Sequence, residues 1–442
     1  MRRSIIHDPM PVISPVEWST PRANGDAFSF FARHYDHCAA LLEDPSGAGR
    51  QIVVSRAGTS LRLDGCEKGW AERWRKALHR PRRGGAGIAL LFYLSYEAGG
   101  LFERLPAPKA ALDWPLIYAH APEWSLTFSA DSVVASARDD TAAARLRALL
   151  TLPPRPLPPP VLAVGSVEEC GSAATYRAAV EQVQHYIRRG DIFQANIARF
   201  WRAPLQRGDD LALYGRLRRR NPAPFCCLLR LDAKHSIISS SPERLFRITP
   251  DGTIDTRPIA GTRRLGRGKE RARLRRELLL SDKERAEHVM LVDLERNDLG
   301  RICRPGSVAV DESMVIERYA TVQHIVSNVR GRLRDGVDLI DVLATMFPGG
   351  TITGCPKIRC MEIIHELEPG PRGPYTGGVG YVACDGSVDC NILIRTFWRM
   401  GDMLCWAAGA GIVSDSIAEH EQRETEHKAA GLLAALQNNG EE

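Results

Sequence analysis

Residues 284–301 read ERAEHVMLVDLERNDLGR, and two carboxylates three residues apart, Glu284 and Glu287, open the stretch. Apolar residues follow at helical spacing (Ala286, Val289, Met290 and Val292), so the segment is expected to be a helix. Positions i and i+3 share a helix face, so the two carboxylates point the same way and repel each other. A single acidic pair of this kind is ordinarily a solvated helix face. A second pair changes its meaning. Glu421 and Glu424, within EHEQRETEHKAA at 419–430, are again three apart in a helical pattern. Two acidic pairs on two helices can share one hard cation, and Mg²⁺ takes a few carboxylate oxygens together with water and substrate oxygens.

The 442 residues are 44% hydrophobic and 25% charged, the balance of a globular protein with chain enough for a large core or two domains. No apolar run is long enough to span a bilayer, and MRRSIIHDPMPVIS at the start lacks the apolar region of a secretory signal. Eleven cysteines occur without any CxxC pair, which reads as reduced thiols in a cytoplasmic protein rather than disulfides or zinc ligands. The net charge of +6 comes largely from arginine runs at 216–220 (RLRRR) and 263–276 (RRLGRGKERARLRR). No aromatic residues are interleaved for base stacking, so the runs read as solvated helix faces; neither nucleic acid nor a membrane is expected as a partner.

Outward from the opening stretch, residues 1–151 form an N-terminal region. It has strand-like runs (IVVS, GIALLFYLSY) and helical stretches at 28–44 (FSFFARHYDHCAALLED) and in AERWRKALH. Residues 152–165 begin with LPPRPLPPP, an extended proline-rich connector that joins neither a helix nor a central strand. The remainder, 166–442, opens with the amphipathic helix AATYRAAVEQVQHYIRR, closed by Gly190. Strands are expected in DIFQANIARFWRAPL, in the pair CCLLRL and HSIISSS, in TIDTRPIAGTRR as one strand, in TVQHIVSNV, and in a hairpin turning at Asp385-Gly386. Hairpins interspersed with helices point to an α+β fold of mixed antiparallel sheets rather than a doubly wound parallel sheet.

Three glycine turns, PGGTITGCPK, YTGGVG and AGAGIV, are expected to expose backbone N–H groups that hold an anion. None fits a nucleotide-binding glycine motif. Near them in sequence lie Lys357, Tyr375, Arg395 and Lys428, a set suited to a small substrate rich in carboxylates. His324 is a candidate proton donor, although a histidine among Val322, Ile325 and Val326 is more commonly a satisfied core residue. Glu243 stands where a strand begins, and a buried carboxyl there would have a raised pKa and serve as a general acid.

Taken in order, GDIFQANIARF, SPERLF, RPIAGTRR, KERAEHVMLVDLERNDLGR, FPGGTITGCPK, RGPYTGGVGY, NILIRT and GAGIVSDS resemble the chorismate-utilising enzymes. That family includes anthranilate synthase component I, aminodeoxychorismate synthase component I, and the isochorismate and salicylate synthases. The resemblance runs from about residue 173 to the end, and ALLED and GLFERLPAP extend it weakly into the first half. It implies the anthranilate synthase component I-like fold, with Mg²⁺ held by Glu284, Glu287, Glu421 and Glu424 against the ring carboxylate of chorismate. It places Tyr375, Arg395, Lys428 and the backbone of Gly409, Ala410 and Gly411 on the substrate carboxylates, and Thr351 near the substrate. Glu243 and His324 become the groups that move protons around the departing ring hydroxyl.

Members that add water carry a lysine base where this chain has Gln194, and glutamine there resembles the branch that uses ammonia, which needs no base. Within that branch FPGGTITGCPK, NPAPF and NILIRT look like aminodeoxychorismate synthase component I. LLED and NPAPF depart from the segments that form the tryptophan inhibitor site of anthranilate synthases. Ala260, in RPIAGT, argues the other way. Many aminodeoxychorismate synthases have a lysine there, and alanine is the anthranilate synthase form. The expectation is an aminodeoxychorismate synthase component I working toward 4-aminobenzoate and folate, with anthranilate synthase component I as the alternative. A catalytically inactive binding scaffold on the same fold is the reading of another class. The chain carries no glutaminase motif, so a separate glutamine amidotransferase subunit is the implied partner.

Overall fold

The computed structural model describes residues 16–21, 26–46, 49, 51–78, 85, 87–110, 113–152, 161–318 and 322–437. Most of the proline-rich connector therefore lies outside the described residues. Two large sheets dominate, one of 13 strands and one of 10. The larger sheet runs in the order Val16–Pro21, Ser132–Ala137, Trp124–Phe128, Gln51–Ser55, Cys38–Glu43, Phe225–Arg230, His235–Ser241, Thr396–Met400, Met403–Ile412, Gln194–Arg207, Glu168–Glu169. The smaller runs Ile259–Arg264, Val322–Arg332, Thr253–Thr256, Arg244–Ile248, Val388–Ile392, Gly378–Ala383, Ile88–Leu94, Ile117–Pro122, Gly58–Leu63. Among the described residues the strands pair antiparallel, as expected of this α+β arrangement.

The side-chain period of two sorts each strand between two cores. In Phe225–Arg230, Cys227 and Leu229 face a cluster shared with Leu91, Tyr93, Tyr375 and Val379 of the other sheet. Cys226 and Leu228 face the opposite way, against Phe31, Leu146, Tyr214 and Leu432 on helices. The smaller sheet repeats the pattern: Leu90, Phe92 and Leu94 pack on the helical side with Trp74, Val180, Val342 and Ile363. The molecule is thus two sheets face to face, with helices on both outer surfaces. Residues 16–151 supply strands to both sheets: Cys38–Glu43 pairs with Phe225–Arg230, and Ile88–Leu94 with Gly378–Ala383. The N-terminal region and the remainder therefore share both sheets.

Three sequence expectations change. CAALLE is not helical; the helix Ala27–Arg33 stops before it, and Cys38–Glu43 is an inner strand paired on both sides. Tertiary pairing decides such short apolar runs. TIDTRPIAGTRR is two strands, Thr253–Thr256 and Ile259–Arg264, broken at Arg257-Pro258 because proline cannot donate to a ladder. The helix Asp282–Ile302 exists, capped by Ser281, whose Oγ accepts from Glu284 N at 3.3 Å. Its buried stripe is not Ala286, Val289, Met290 and Val292, since Val289 is exposed. It is His288, Leu291, Glu295, Asp298 and Ile302, spaced three and four apart. Burial here selects polar residues that serve the interior.

The chain crosses between the sheets twice at one place. His235–Ser241 leaves the larger sheet and continues as Arg244–Ile248 in the smaller; Val388–Ile392 returns as Thr396–Met400. The crossings are stitched together: Ile392 N donates to Glu243 O (3.1 Å), Ser240 N to Arg395 O (3.1 Å), and Ser241 Oγ to Ile392 O (2.6 Å). Glu243 stands at one corner and Arg395 at the other.

Candidate active site

At these corners the open end of the sandwich gathers most of the predicted residues. Glu243 is 6% exposed. Burial pushes its carboxyl up to about 7, the Thr351 hydroxyl and the Lys428 ammonium drawing it partly back. The Thr351 Oγ1 is itself buried and makes no hydrogen bond of ordinary geometry among the described residues. Lys428 donates to Gly409 O (2.9 Å) and pairs with Glu424 at 2.7 Å. Arg395 has a left-handed backbone, φ +53°, and Thr376 beside Tyr375 has φ +61°. Such conformations cost about 1–3 kcal/mol each and persist where the surroundings over-determine them. Among the described residues the Arg395 guanidinium makes no ion pair. Burial lowers its pKa, and the nearby Tyr375 and Glu424 pull the other way.

Gly409, Ala410 and Gly411 are not a turn. They lie inside the strand Met403–Ile412, opposite Ala198, Ile197 and Asn196. The reason for glycine is contact. A Cβ on Gly409 would fall 2.4 Å from Asn196 Oδ1 and 2.8 Å from Tyr375 Oη, and one on Gly411 would fall 2.3 Å from Gln194 Nε2. The bare strand lets Tyr375 and two amide side chains close on the site. Tyr375 is in turn held from the N-terminal region. Glu97, half-buried and with its carboxyl pushed up to about 7 by desolvation, accepts from Arg372 N (2.7 Å) and Gly373 N (3.0 Å). Arg372, 1% exposed, grips Glu368 with two bonds and donates to Ile352 O and Asn196 O.

His324 lies on Val322–Arg332, its Nδ1 3.4 Å from Gly261 O. Burial, with Arg395 nearby, lowers its pKa to about 4, so it is neutral at pH 7. Of the two groups expected to move protons, Glu243 is the one whose pKa lies near neutrality. Lys357 Nζ is 2.6 Å from Asp298 and 3.0 Å from Thr345 O, a buried ion pair. Beside that pair sits Glu295, a residue the sequence reading passed over. Burial and Asp298 raise its carboxyl to about 8, Lys357 and Thr256 opposing. It packs beneath Gly350, just before Thr351. Its place on the buried stripe, a carboxylate seven residues after a buried histidine, was the available signal.

The acidic pairs stand on the first two turns of Asp282–Ile302 and Ala418–Leu436. Glu284 is 2.9 Å from Arg263, and Glu421 accepts from Ser416 Oγ at 2.7 Å. They border one cleft, since Glu424 acts on Arg395, Arg395 on His324, and Glu284 Oε2 would lie 2.6 Å from a Cβ on Gly261. Among the described residues no three acidic, imidazole or thiol groups are close enough to hold one ion. The donor set, carboxylates only, fits a hard cation that takes its other ligands from water or substrate.

A separate cavity of about 480 Å³ opens where LLED and NPAPF meet, lined by Glu43, Phe225, Arg244, Tyr381 and Asp389 among others. Glu43 is committed there to Arg218 (2.7 Å) and Tyr214 (2.7 Å).

The profile of the family described as chorismate binding enzyme matches residues 37–434. The chain belongs to that family. Anthranilate synthase component 1 of Saccharolobus solfataricus is 41% identical over 359 residues, 78% of this chain and 80% of that protein. Aminodeoxychorismate synthase component 1 of Bacillus subtilis is 46% identical over 274 residues, 60% of this chain and 56% of that protein. The crystal structure of anthranilate synthase component I from Streptococcus pneumoniae superposes with a TM-score of 0.79 at 28% identity, covering 87% of this chain and 92% of that one. The fold and the family expected from the motifs are both met. Similarity is shared between two named activities, so the chorismate-binding family member is defined more coarsely than the motifs alone suggested. No helix among the described residues is long and apolar enough to cross a membrane.

Proposed function

We propose that this chain aminates chorismate at ring carbon 4 with ammonia, as component I of an aminodeoxychorismate synthase whose ammonia comes from a separate glutamine amidotransferase. The observation that carries the chemistry is Glu243: a buried carboxyl with a pKa near 7, facing Thr351 and Lys428 in a cleft shared with Arg395 and Tyr375. A carboxyl of that pKa is a competent general acid at neutral pH. Arg395, Lys428 and Tyr375 hold the substrate carboxylates. Glu243 gives its proton to the departing hydroxyl, the carbon–oxygen bond breaks and water leaves. The ammonia nitrogen forms the new bond and sheds one proton, so chorismate and ammonia become the amino product and water. The Glu243 carboxylate left by the first transfer is the base suited to receive that proton, and His324, with Nδ1 toward Gly261 O, lines the same cleft. Mg²⁺ held by Glu284, Glu287, Glu421 and Glu424 would supply positive charge at the ring carboxylate.

Gln194 supports ammonia over water, because an amide cannot deprotonate water. The motifs FPGGTITGCPK, NPAPF and NILIRT support amination at carbon 4. Ala260, buried on the strand Ile259–Arg264, supports a second reading, anthranilate synthase component I. The test of the chemistry is chorismate consumption by the purified chain with Mg²⁺, with and without ammonium. Loss that requires ammonium, and that glutamine alone does not sustain, is expected. Equal loss without ammonium, giving a hydroxylated product, would overturn the reading.

A further inference from the structure

Two buried acceptors on one strand face are left without donors. Gln194 Oε1 and Asn196 Oδ1, on side chains each 7% exposed, have no hydrogen-bond partner among the described residues. Residues i and i+2 of a strand share a face, and here it is the face turned to Tyr375. Both amides lie over glycines of the adjoining strand, Gln194 over Gly411 and Asn196 over Gly409. The backbone beneath them is fixed: Asn196 N donates to Thr353 O (2.9 Å) and Asn196 O accepts from Arg372 (2.7 Å). Buried carbonyl oxygens without donors carry a desolvation penalty that a donor-rich ligand relieves. Neither amide titrates, so neither can take a proton from the ligand it holds.

We propose that Asn196 is a second determinant of the nucleophile, its carbonyl oxygen pairing with that of Gln194 to hold ammonia by two N–H bonds. The third N–H and the lone pair are then left over, and the lone pair points out of the amide pair toward the substrate ring. The inference rests on the amination reading and adds Asn196 to it. A site whose acceptors are matched to N–H donors discriminates strongly, because a poorer donor leaves buried oxygens unpaired.

The experiment is initial-rate kinetics of the full chain with Mg²⁺ and chorismate, varying free ammonia at fixed pH, for wild type, Asn196→Ala and Asn196→Ser. The Ala variant should raise the ammonia KM at least tenfold while the chorismate KM stays within twofold. The Ser variant, which keeps a small acceptor, should fall between. An unchanged ammonia KM in either folded variant would overturn the proposal. So would a rise confined to the chorismate KM, which would make Asn196 a contact of the substrate itself. Thermal midpoints identify a variant that fails to fold, and the other variant then decides. Absence of any ammonia-dependent product from wild type is a different failure, that of the amination reading.

Discussion

Replacing Glu243 with Gln separates the chemistry of this site from its stability. The carboxyl has a native pKa of about 7 against 4.5 for an unburied glutamate, so the folded protein holds this proton more tightly than the unfolded chain. The sign follows: the contribution is fully favourable below pH 4.5, is lost as pH rises toward 7, and is a constant penalty above that. The two pKa values differ enough to make the penalty about 3 kcal/mol at pH 8.5 and under about 1 kcal/mol at pH 5. Glutamine has the same shape and no charge, so Glu243→Gln should be more stable than wild type at pH 8.5, with most of that gain absent at pH 5. Any pH-independent effect of the amide cancels in the difference. The same variant should lose about 10²–10⁴ in kcat, the usual contribution of a general acid. The assay pairs urea and thermal midpoints at both pH values with chorismate turnover. A stability difference that does not change with pH would refute the buried, protonated carboxyl. Retained turnover would refute its role as acid.

Wild-type turnover should itself decline on the alkaline side as pH passes about 7, where Glu243 loses its proton, and a profile flat to pH 9 would contradict this. Gly409→Ala places a methyl 2.4 Å from Asn196 Oδ1 and 3.0 Å from the Ile197 carbonyl, so kcat/KM should fall about a hundredfold, with about 1–3 kcal/mol lost in the denaturation midpoint. Arg372→Met strands the buried Glu368 carboxylate and should cost about 3–5 kcal/mol by urea denaturation. Mg²⁺ and chorismate together should raise the thermal midpoint, a ligand at a hundred times its Kd contributing about 2.7 kcal/mol. EDTA or Glu287→Gln should abolish the joint shift. No shift in wild type would favour an inactive scaffold.

How much of this was legible in the sequence follows from the kind of signal each residue gave. Glu243, Arg395, Tyr375 and Lys428 were found through motifs, and the two sheet crossings explain why residues more than a hundred positions apart converge. Periodicity gave the helix Asp282–Ile302 but not its buried face, because the interior takes the polar His288, Glu295 and Asp298, which an apolar pattern does not mark. Gly409 and Gly411 suggested an anion-binding turn, since glycine in sequence signals flexibility before it signals close contact. The surroundings of Lys357 and His324 were not legible: Lys357 is paired with Asp298, 59 residues away, and His324 sits on a buried strand that lowers its pKa to about 4. Asn196 gave no signal, being one polar letter in a strand, until its unpartnered oxygen became visible.

The most direct test of the central claim is product analysis. The purified chain is incubated with chorismate, Mg²⁺ and an ammonium salt, then with an aminodeoxychorismate lyase, and the products are separated by chromatography with fluorescence detection. The account predicts 4-aminobenzoate that forms only when the lyase is added, which would show that Ala260 does not bar amination at carbon 4. Anthranilate appearing without the lyase would contradict it and place the amination at carbon 2.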